Sequence, residues 1–553
     1  MSKFIFISGG VISGIGKGIT AASIGFILKS YGLKVAMMKA DPYINVDAGT
    51  MNPLEHGETF VLEDGFETDM DIGTYERFTG EMFERLNSMT GGAVFQNVIT
   101  KERELGYDGK WVSIDYHIPR EIIRWITEVS ERRKADVTIV EIGGTVGEFG
   151  NKLFLEANRV MKIKNPNDVL HMHVSYLPLP GKLGEMKSKP VQMSVKMLNE
   201  SGINPEFIIA RSEQKIDDIR KEKLSHYCVV PFEHVISAPD VDSIYEVPIN
   251  FEKDELGKKI VKQLGLKVKQ KDLFKKWALR YEASINPKKT LKVGLVGKYY
   301  KSGDFDLKDS YVSVIEALKH AAWANQVDVE IDWIVSDGLE KDEKAQQKLK
   351  NLDGIIVPQG WGSRGVEGKI KAIQIAREKK VPYLGLCFGM QMAVIEFARN
   401  ILGWKEANSE EVNCDCEKKV IHLMDCQKEH IEKSQYGGTI RLGAWPCKLK
   451  KGSLLQNLYK QYGNSLFKNH SVVEERHRHR YEFNNICREE LEKAGLIISG
   501  ESPDGKLVEA IELSKKDHPF FVGTQFHPEL KSQFLTPHPI FMGFIKGILL
   551  NTK

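Results

Sequence analysis

Strand-forming residues Lys3–Ser8 run directly into the glycine-rich turn Gly9–Gly18 (GGVISGIGKG) and then into an amphipathic stretch that Gly32 would terminate. A chain that leaves a buried strand through such a turn into a helix returns to the same sheet, so the opening predicts a parallel α/β domain. The helix is expected over Gly16–Tyr31, and Leu33–Lys39, Asp136–Ile142 and Glu206–Ala210 read as further buried strands. A lysine-rich segment, Lys267–Lys289, interrupts the rhythm and reads as a solvated helix and linker. The rhythm restarts at Leu291, with strands at Asp353–Pro358, Val381–Leu386 and Phe520–Gln525. Two α/β units divided near residues 270–290 are the expectation, without 20–50-residue repeats or low-complexity tracts.

Composition narrows the function classes. A chain of 553 residues has room for two to four domains, and 42% hydrophobic with 28% charged residues excludes disorder as the main state. A net charge of +3 is too near neutral for bulk nucleic-acid binding. No apolar run reaches 18 residues and the first one is too short for a signal peptide, so no membrane span is expected. Seven cysteines, odd in number and without framework spacing, point to free thiols in a reducing, cytoplasmic setting.

The glycine turn suits phosphate. Backbone N–H groups can converge on phosphate oxygens there, the helix N-terminus adds its positive end, and Lys17 can neutralise terminal phosphates. The spacing differs from the standard P-loop: five residues separate Gly10 from Gly16, and Gly18 follows the lysine. Carboxylates for a nucleotide-bound Mg²⁺ could come from Glu67–Gly73 or from Glu141, at the C-terminal end of a strand.

The second half carries a different chemistry. Gly385-Leu386-Cys387-Phe388-Gly389 after a strand has the small residues that a strained nucleophile elbow requires. The helix N-terminus favours the thiolate. Downstream, Gln525-Phe526-His527-Pro528-Glu529 offers His527 as base and Glu529 as its orienting partner. Cys414, Cys416, His422 and Cys426 lack the usual zinc spacing. The charged run Glu475–Tyr481 reads as a solvated face, from which one arginine could clamp a substrate carboxylate.

Together these residues resemble the CTP synthase family over nearly the whole chain. The matching stretches are GGVISGIGKG, Asp41–Gly49, Glu55–Glu58, Tyr75–Phe78, EIGGTVG, Lys187–Gln192 and Asp240–Tyr245. In the second half they are Ser363–Lys369, GLCFGMQ, RHRHRYEFN and FHPE. The resemblance implies a P-loop, dethiobiotin-synthetase-like synthetase domain (1–266), a linker (267–290) and a class I glutamine amidotransferase domain (291–553). Each would be built on a largely parallel sheet. It implies ATP-dependent amination of UTP to CTP, with ammonia from glutamine channelled to a 4-phosphorylated UTP.

Carried over motif by motif, Gly14, Ile15, Gly16, Lys17, Gly18, Ile19, Asp71, Arg211 and Val241 would meet ATP, and Asp71 and Glu141 would hold Mg²⁺. Ser13, Glu148, Phe149, Gly150, Lys187, Ser188, Lys189, Pro190, Val191, Gln192 and Lys223 would meet UTP or the feedback inhibitor CTP. Cys387, His527 and Glu529 match the triad; Gly360, Phe388, Gly389, Met390, Gln391, Glu411 and Arg480 match glutamine-binding positions. GTP activation and a homotetramer, with filaments in some settings, are further implications. An amidoligase for another acceptor, or a non-catalytic regulatory or filament-forming relative, are the alternatives. UTP-dependent ATP hydrolysis separates them from the leading reading.

Three departures from the family pattern stand out. Gly150 removes a carboxylate from the pyrimidine loop, Val191 replaces a threonine, and Gln359 replaces a glycine in the turn Pro358–Gly362. If that turn needs φ > 0 at position 359, glutamine is strained there and glutaminase efficiency suffers.

Overall fold

The computed structural model describes residues 2–52, 57–181, 184–269, 272–298, 301–302, 305–306, 308–424, 427, 438–463, 466–467 and 469–551. Cys426, part of the unusual cysteine segment, and Glu55 of the Glu55–Glu58 motif lie outside them. The chain divides into two units: residues Met1–Ala48 with Asp71–Tyr281, and Gly49–Met70 with Glu282–Lys553. The excursion Gly49–Met70, which the sequence reading left in the first domain, thus groups with the second.

The first unit is built on seven strands in the spatial order Ser88–Thr90, Val35–Asp41, Val137–Ile142, Lys3–Gly10, Val169–Tyr176, Phe207–Ser212, Val235–Pro239. Every neighbouring pair is parallel. Strands covered on both faces need apolar side chains on both, which explains the unbroken hydrophobic runs in the sequence. On one face Phe6, Met38 and Val140 pack with Ile118, Ile122, Trp125 and Ile126 of helix Ile114–Arg133. Helix Lys17–Ser30 follows the first strand and ends before Gly32, at φ 87.

The lysine-rich segment is more than a solvated linker. It holds helix Leu273–Ile285, whose Trp277 is fully buried, lies tilted against Phe26 with ring centres 4.0 Å apart and donates Nε1–H to Tyr245 O at 2.8 Å. Lysines on the outer face kept the composition basic while Trp277, with Phe274 and Tyr281, anchored the helix.

The second unit has a nine-stranded sheet: Asp328–Val335, Thr290–Gly297, Gly354–Val357, Tyr383–Leu386, Phe521–Thr524, Val508–Glu512, Ile497–Glu501, Arg441–Leu449, Val472–His479. The first five are parallel and the rest antiparallel. Both faces carry core: Ile370, Ile373, Met390 and Val394 on one, Val314, Leu318, Phe541 and Phe544 on the other. Within this unit, Gly49–Met70 is tied to the strand Val472–His479. Arg476 Nε donates to Glu63 Oε1 and Arg478 Nε to Glu67 Oε1, each at 2.8 Å.

The charged run Glu475–Tyr481 is therefore not a solvated face. Glu475, Arg476 and His477 are fully buried, and each has a partner: Glu475 binds Tyr459 and His538, and His477 reaches Glu509 Oε2 at 2.8 Å. Buried charges persist where each is paired, and pairing across 400 residues leaves no local signal in the sequence. Among the described residues, no helix is long and apolar enough to cross a membrane.

Candidate active site

In the first unit the glycine turn is held open by backbone that other residues cannot easily adopt. Gly14 and Gly16 have φ of 68 and 89, and Val11 takes φ 80, a sparsely populated value for a branched residue. A β-carbon on Gly9 would lie 2.7 Å from Lys17 Cδ, and one on Gly18 would collide with the Asp71 carboxylate. The turn, its lysine and the acid are thus packed together. Lys17 Nζ donates to Gly144 O at 2.8 Å; burial lowers its pKa, partly offset by Glu141.

Behind Lys17, the ammonium of Lys39 binds Asp71, reaches Glu141 Oε1 at 3.0 Å and lies 3.6 Å from Asp41 Oδ1. Burial opposes the charge on Lys39, but these three carboxylates outweigh it and hold the pKa well above the usual value. Burial also pushes Asp71 up, and Lys39 outweighs it to leave that carboxyl low. For Glu141 burial wins and the carboxyl is raised. Asp71 and Glu141 therefore share the Lys39 ammonium, beside the phosphate turn. No cluster of three metal-ligating side chains occurs among the described residues. Mg²⁺ bound to a nucleotide requires only one or two carboxylates, so the pair fits.

A cavity of about 160 Å³ lies next to the turn and brings together Gly16, Ile19, Arg211 and Val241, four residues expected at ATP. Arg211 is fixed there by Ala238 O, Pro239 O and Asp240 Oδ1, at 3.2, 3.1 and 2.7 Å. Lys187 and Lys223 gather with Arg220 around Glu185, whose pKa the Lys187 hydrogen bond lowers. Ser188 starts helix Lys189–Glu200, with Pro190 in its first turn, and Gln192 Nε2 donates to Ser188 Oγ at 3.1 Å. Val191 follows in the same helix. Its side chain is fully buried in the cluster of Leu177, Val195, Ile208 and Ala210, so a ligand can meet only its backbone. Glu148 accepts from Thr145 N–H at 2.9 Å, Phe149 is 88% exposed, and a β-carbon on Gly150 would lie 3.0 Å from Pro42 O.

In the second unit Cys387 sits between strand Tyr383–Leu386 and helix Phe388–Asn400 with φ 51 and ψ −102. A side chain is held in this strained region only when its surroundings over-determine it. Here Cys387 N–H donates to Thr524 O at 2.6 Å, and a β-carbon on Gly389 would collide with Val357 O. Gly385 is equally confined, by Tyr383 Oη at 2.5 Å. The two glycines of the elbow are steric requirements.

His527 Nδ1 lies 2.7 Å from Glu529 Oε1, and both are buried. Burial depresses the imidazole, but Glu529 and the Cys387 sulfur outweigh it and raise the pKa to about 10. A folded pKa above the unfolded value of about 6.5 means this pairing stabilises fully below pH 6.5 and is lost as pH rises through about 10. Glu529→Gln should move the His527 titration down from about 10, read by NMR of ring-labelled histidine. An unmoved titration would exclude Glu529 as the cause.

One cavity is lined by Cys387, His527 and Glu529 together with Gly360, Phe388, Gln391, Glu411 and Arg480. Gln525 Nε2 lies 3.5 Å from Cys387 Sγ, and Gln391 Nε2 donates to Tyr481 O at 2.9 Å and to Gln525 Oε1 at 3.2 Å. The cavity also includes Glu58 and Trp361, from stretches noted in the sequence, and Thr59 and Tyr311, which were not.

The comparisons with known proteins decide the family. Residues 3–266 match the model of the CTP synthase N-terminus, and residues 306–547 that of class I glutamine amidotransferases. A CTP synthase of Carboxydothermus hydrogenoformans is 51% identical over 554 residues, covering 100% of both chains. One from Caldanaerobacter subterraneus subsp. tengcongensis is 49% identical over 550 residues, 99% of this chain and 98% of the other. The chain belongs to the CTP synthase family. A solved glutaminase domain of a Trypanosoma brucei CTPS, with bound acivicin, is 37% identical over 47% of this chain and 94% of its own, at TM-score 0.42.

One expectation for the glutaminase half of this CTP synthase family member is corrected. Gln359 is not among the residues with positive φ; the left-handed position of the turn is Gly362, at φ 73, so glutamine carries no such strain. Its Nε2 donates to Glu58 Oε1 at 3.2 Å, and Glu58 Oε2 accepts from Ser313 N–H at 2.9 Å. Met390 is fully buried in the core, so only its backbone can reach glutamine. His422 lies 3.8 Å from Glu482, while Cys414 is exposed and Cys416 buried.

Proposed function

We propose that this protein aminates UTP to CTP at the expense of ATP, with glutamine as nitrogen source. One chain carries both a phosphate turn backed by two carboxylates and a Cys–His–Glu cavity, and this pairing carries the reading. The amide-like O4 of uracil is a poor leaving group. Transfer of the ATP γ-phosphoryl to O4 makes it a good one; ammonia then adds at C4 and phosphate departs with the oxygen.

Lys17 and the backbone of Gly14–Ile19 would hold the triphosphate, and Arg211 and Val241 would flank the rest of ATP. Asp71 and Glu141 would hold Mg²⁺, which supplies charge neutralisation on the phosphates when bound. Lys187, Lys189 and Lys223 would contact the pyrimidine nucleotide, with Ser13 and the Glu148–Gly150 loop nearby. At the other site the Cys387 thiolate attacks the glutamine carboxamide carbon. His527 protonates the departing nitrogen, and water later hydrolyses the thioester. Backbone N–H groups of the Pro358–Gly362 turn and of Phe388 would stabilise the oxyanion. Glu411 and Arg480 would hold the α-amino and α-carboxylate groups of glutamine.

Family membership supports GTP as an activator, CTP as an inhibitor and a homotetrameric, cytoplasmic protein. The exposed Trp111 and Phe149 suit assembly.

CTP formation by the purified protein with UTP, ATP, Mg²⁺ and GTP tests the reading, with glutamine and ammonium chloride compared as donors. Product from both is expected. Product from neither overturns the reading in favour of another acceptor or a regulatory relative.

A further inference from the structure

Lys369 takes no part in the chemistry above, yet none of its surface reaches solvent. It lies in helix Val366–Lys379, and its Nζ donates to Pro358 O at 3.1 Å. The same ammonium is 5.1 Å from the centre of the Phe388 ring and 3.1 Å from where a β-carbon on Gly360 would stand. It therefore touches both segments to which the glutaminase reading assigns the oxyanion donors. Burial and the nearby Lys298 push its pKa down to about 7, and so costly a group needs a compensating role.

Peptide geometry supplies one. In a trans peptide the C=O and N–H point in opposite directions, and no cis peptide occurs among the described residues. Holding Pro358 O on Lys369 turns the Gln359 N–H away from Lys369. The same clamp recurs three residues on: Lys298 binds Trp361 O, and the other end of that peptide, Gly362 N–H, donates at 2.6 Å to Glu411, a cavity residue.

We propose that Lys369 is a positioning residue for the oxyanion turn, holding the Pro358–Gln359 peptide so that its N–H faces the Cys387 cavity. The proposal rests on the glutaminase reading above.

The test uses the full chain and the near-isosteric Lys369→Met. The kcat for glutamine hydrolysis should fall about 10²–10³-fold, the effect of one lost oxyanion donor, with KM near the native value. Alkylation of Cys387 by iodoacetamide forms no oxyanion and should keep its native rate. Lys369→Arg, which restores a donor, should recover part of kcat. Parallel loss of alkylation and hydrolysis overturns the proposal, because Lys369 would then support the unit as a whole. An unchanged kcat overturns it too. A native protein that is alkylated but hydrolyses no glutamine overturns the glutaminase reading itself, and is told apart because the native chain is already silent.

Discussion

Cys387→Ala is expected to abolish CTP formation from glutamine and to leave formation from ammonium intact. Loss of a nucleophile that acts as a unit with its base costs about 10⁴–10⁶ in rate. The substitution is clean because alanine keeps the β-carbon. The strain at φ 51 and ψ −102 is therefore the same in both proteins, and the N–H bond to Thr524 O at 2.6 Å survives. Gly385 and Gly389 are confined by backbone and by Tyr383, not by the sulfur, so the elbow keeps its shape. The measurement is CTP formation with each donor, alongside thermal unfolding. Equal loss from both donors without unfolding would mean that the thiol serves the synthetase chemistry directly, against the division of labour proposed here.

The sequence was most informative where chemistry needs a local backbone shape. The first strand, the glycine turn and helix Lys17–Ser30 stand where the pattern put them, because a parallel strand and a following helix are specified by neighbours in the chain. The Cys387 elbow was legible for the same reason. What was hidden depends on long-range partners. Lys39 sits inside a strand and reads as a strand residue, yet it joins Asp71 to Glu141, 70 positions apart. Ser8, His171 and His173 form a buried hydrogen-bonded chain at 2.8 and 2.9 Å; burial drives His173 down to about 3, and no motif announces it. Glu58 and Lys369 fall in stretches that the sequence singled out, but their partners did not: Glu58 meets Gln359, 301 positions away, and Lys369 crosses from its helix to Pro358 O. Gln359 was misjudged because a residue type alone does not give the φ of its position.

The mirror-image prediction concerns Lys17→Met, which should stop CTP formation from both donors while basal glutamate release at Cys387 persists. The lysine is buried, donates to Gly144 O at 2.8 Å and packs its chain against Gly9, so it is pre-positioned rather than recruited by the ligand. A charge fixed where phosphoryl transfer develops its own costs no reorganisation during reaction, and losing one such stabiliser costs about 10²–10³ in rate. Methionine fills the same volume, so the turn and its glycines should keep their packing. The effect should therefore appear in UTP-dependent ATP hydrolysis as well as in CTP formation, because phosphorylation precedes amination. If Lys17→Met slowed glutamine-dependent synthesis but spared ammonium-dependent synthesis, the phosphate turn would not be the site of phosphoryl transfer. Loss of both, set beside the selective loss in Cys387→Ala, assigns activation of the acceptor to one unit and release of nitrogen to the other.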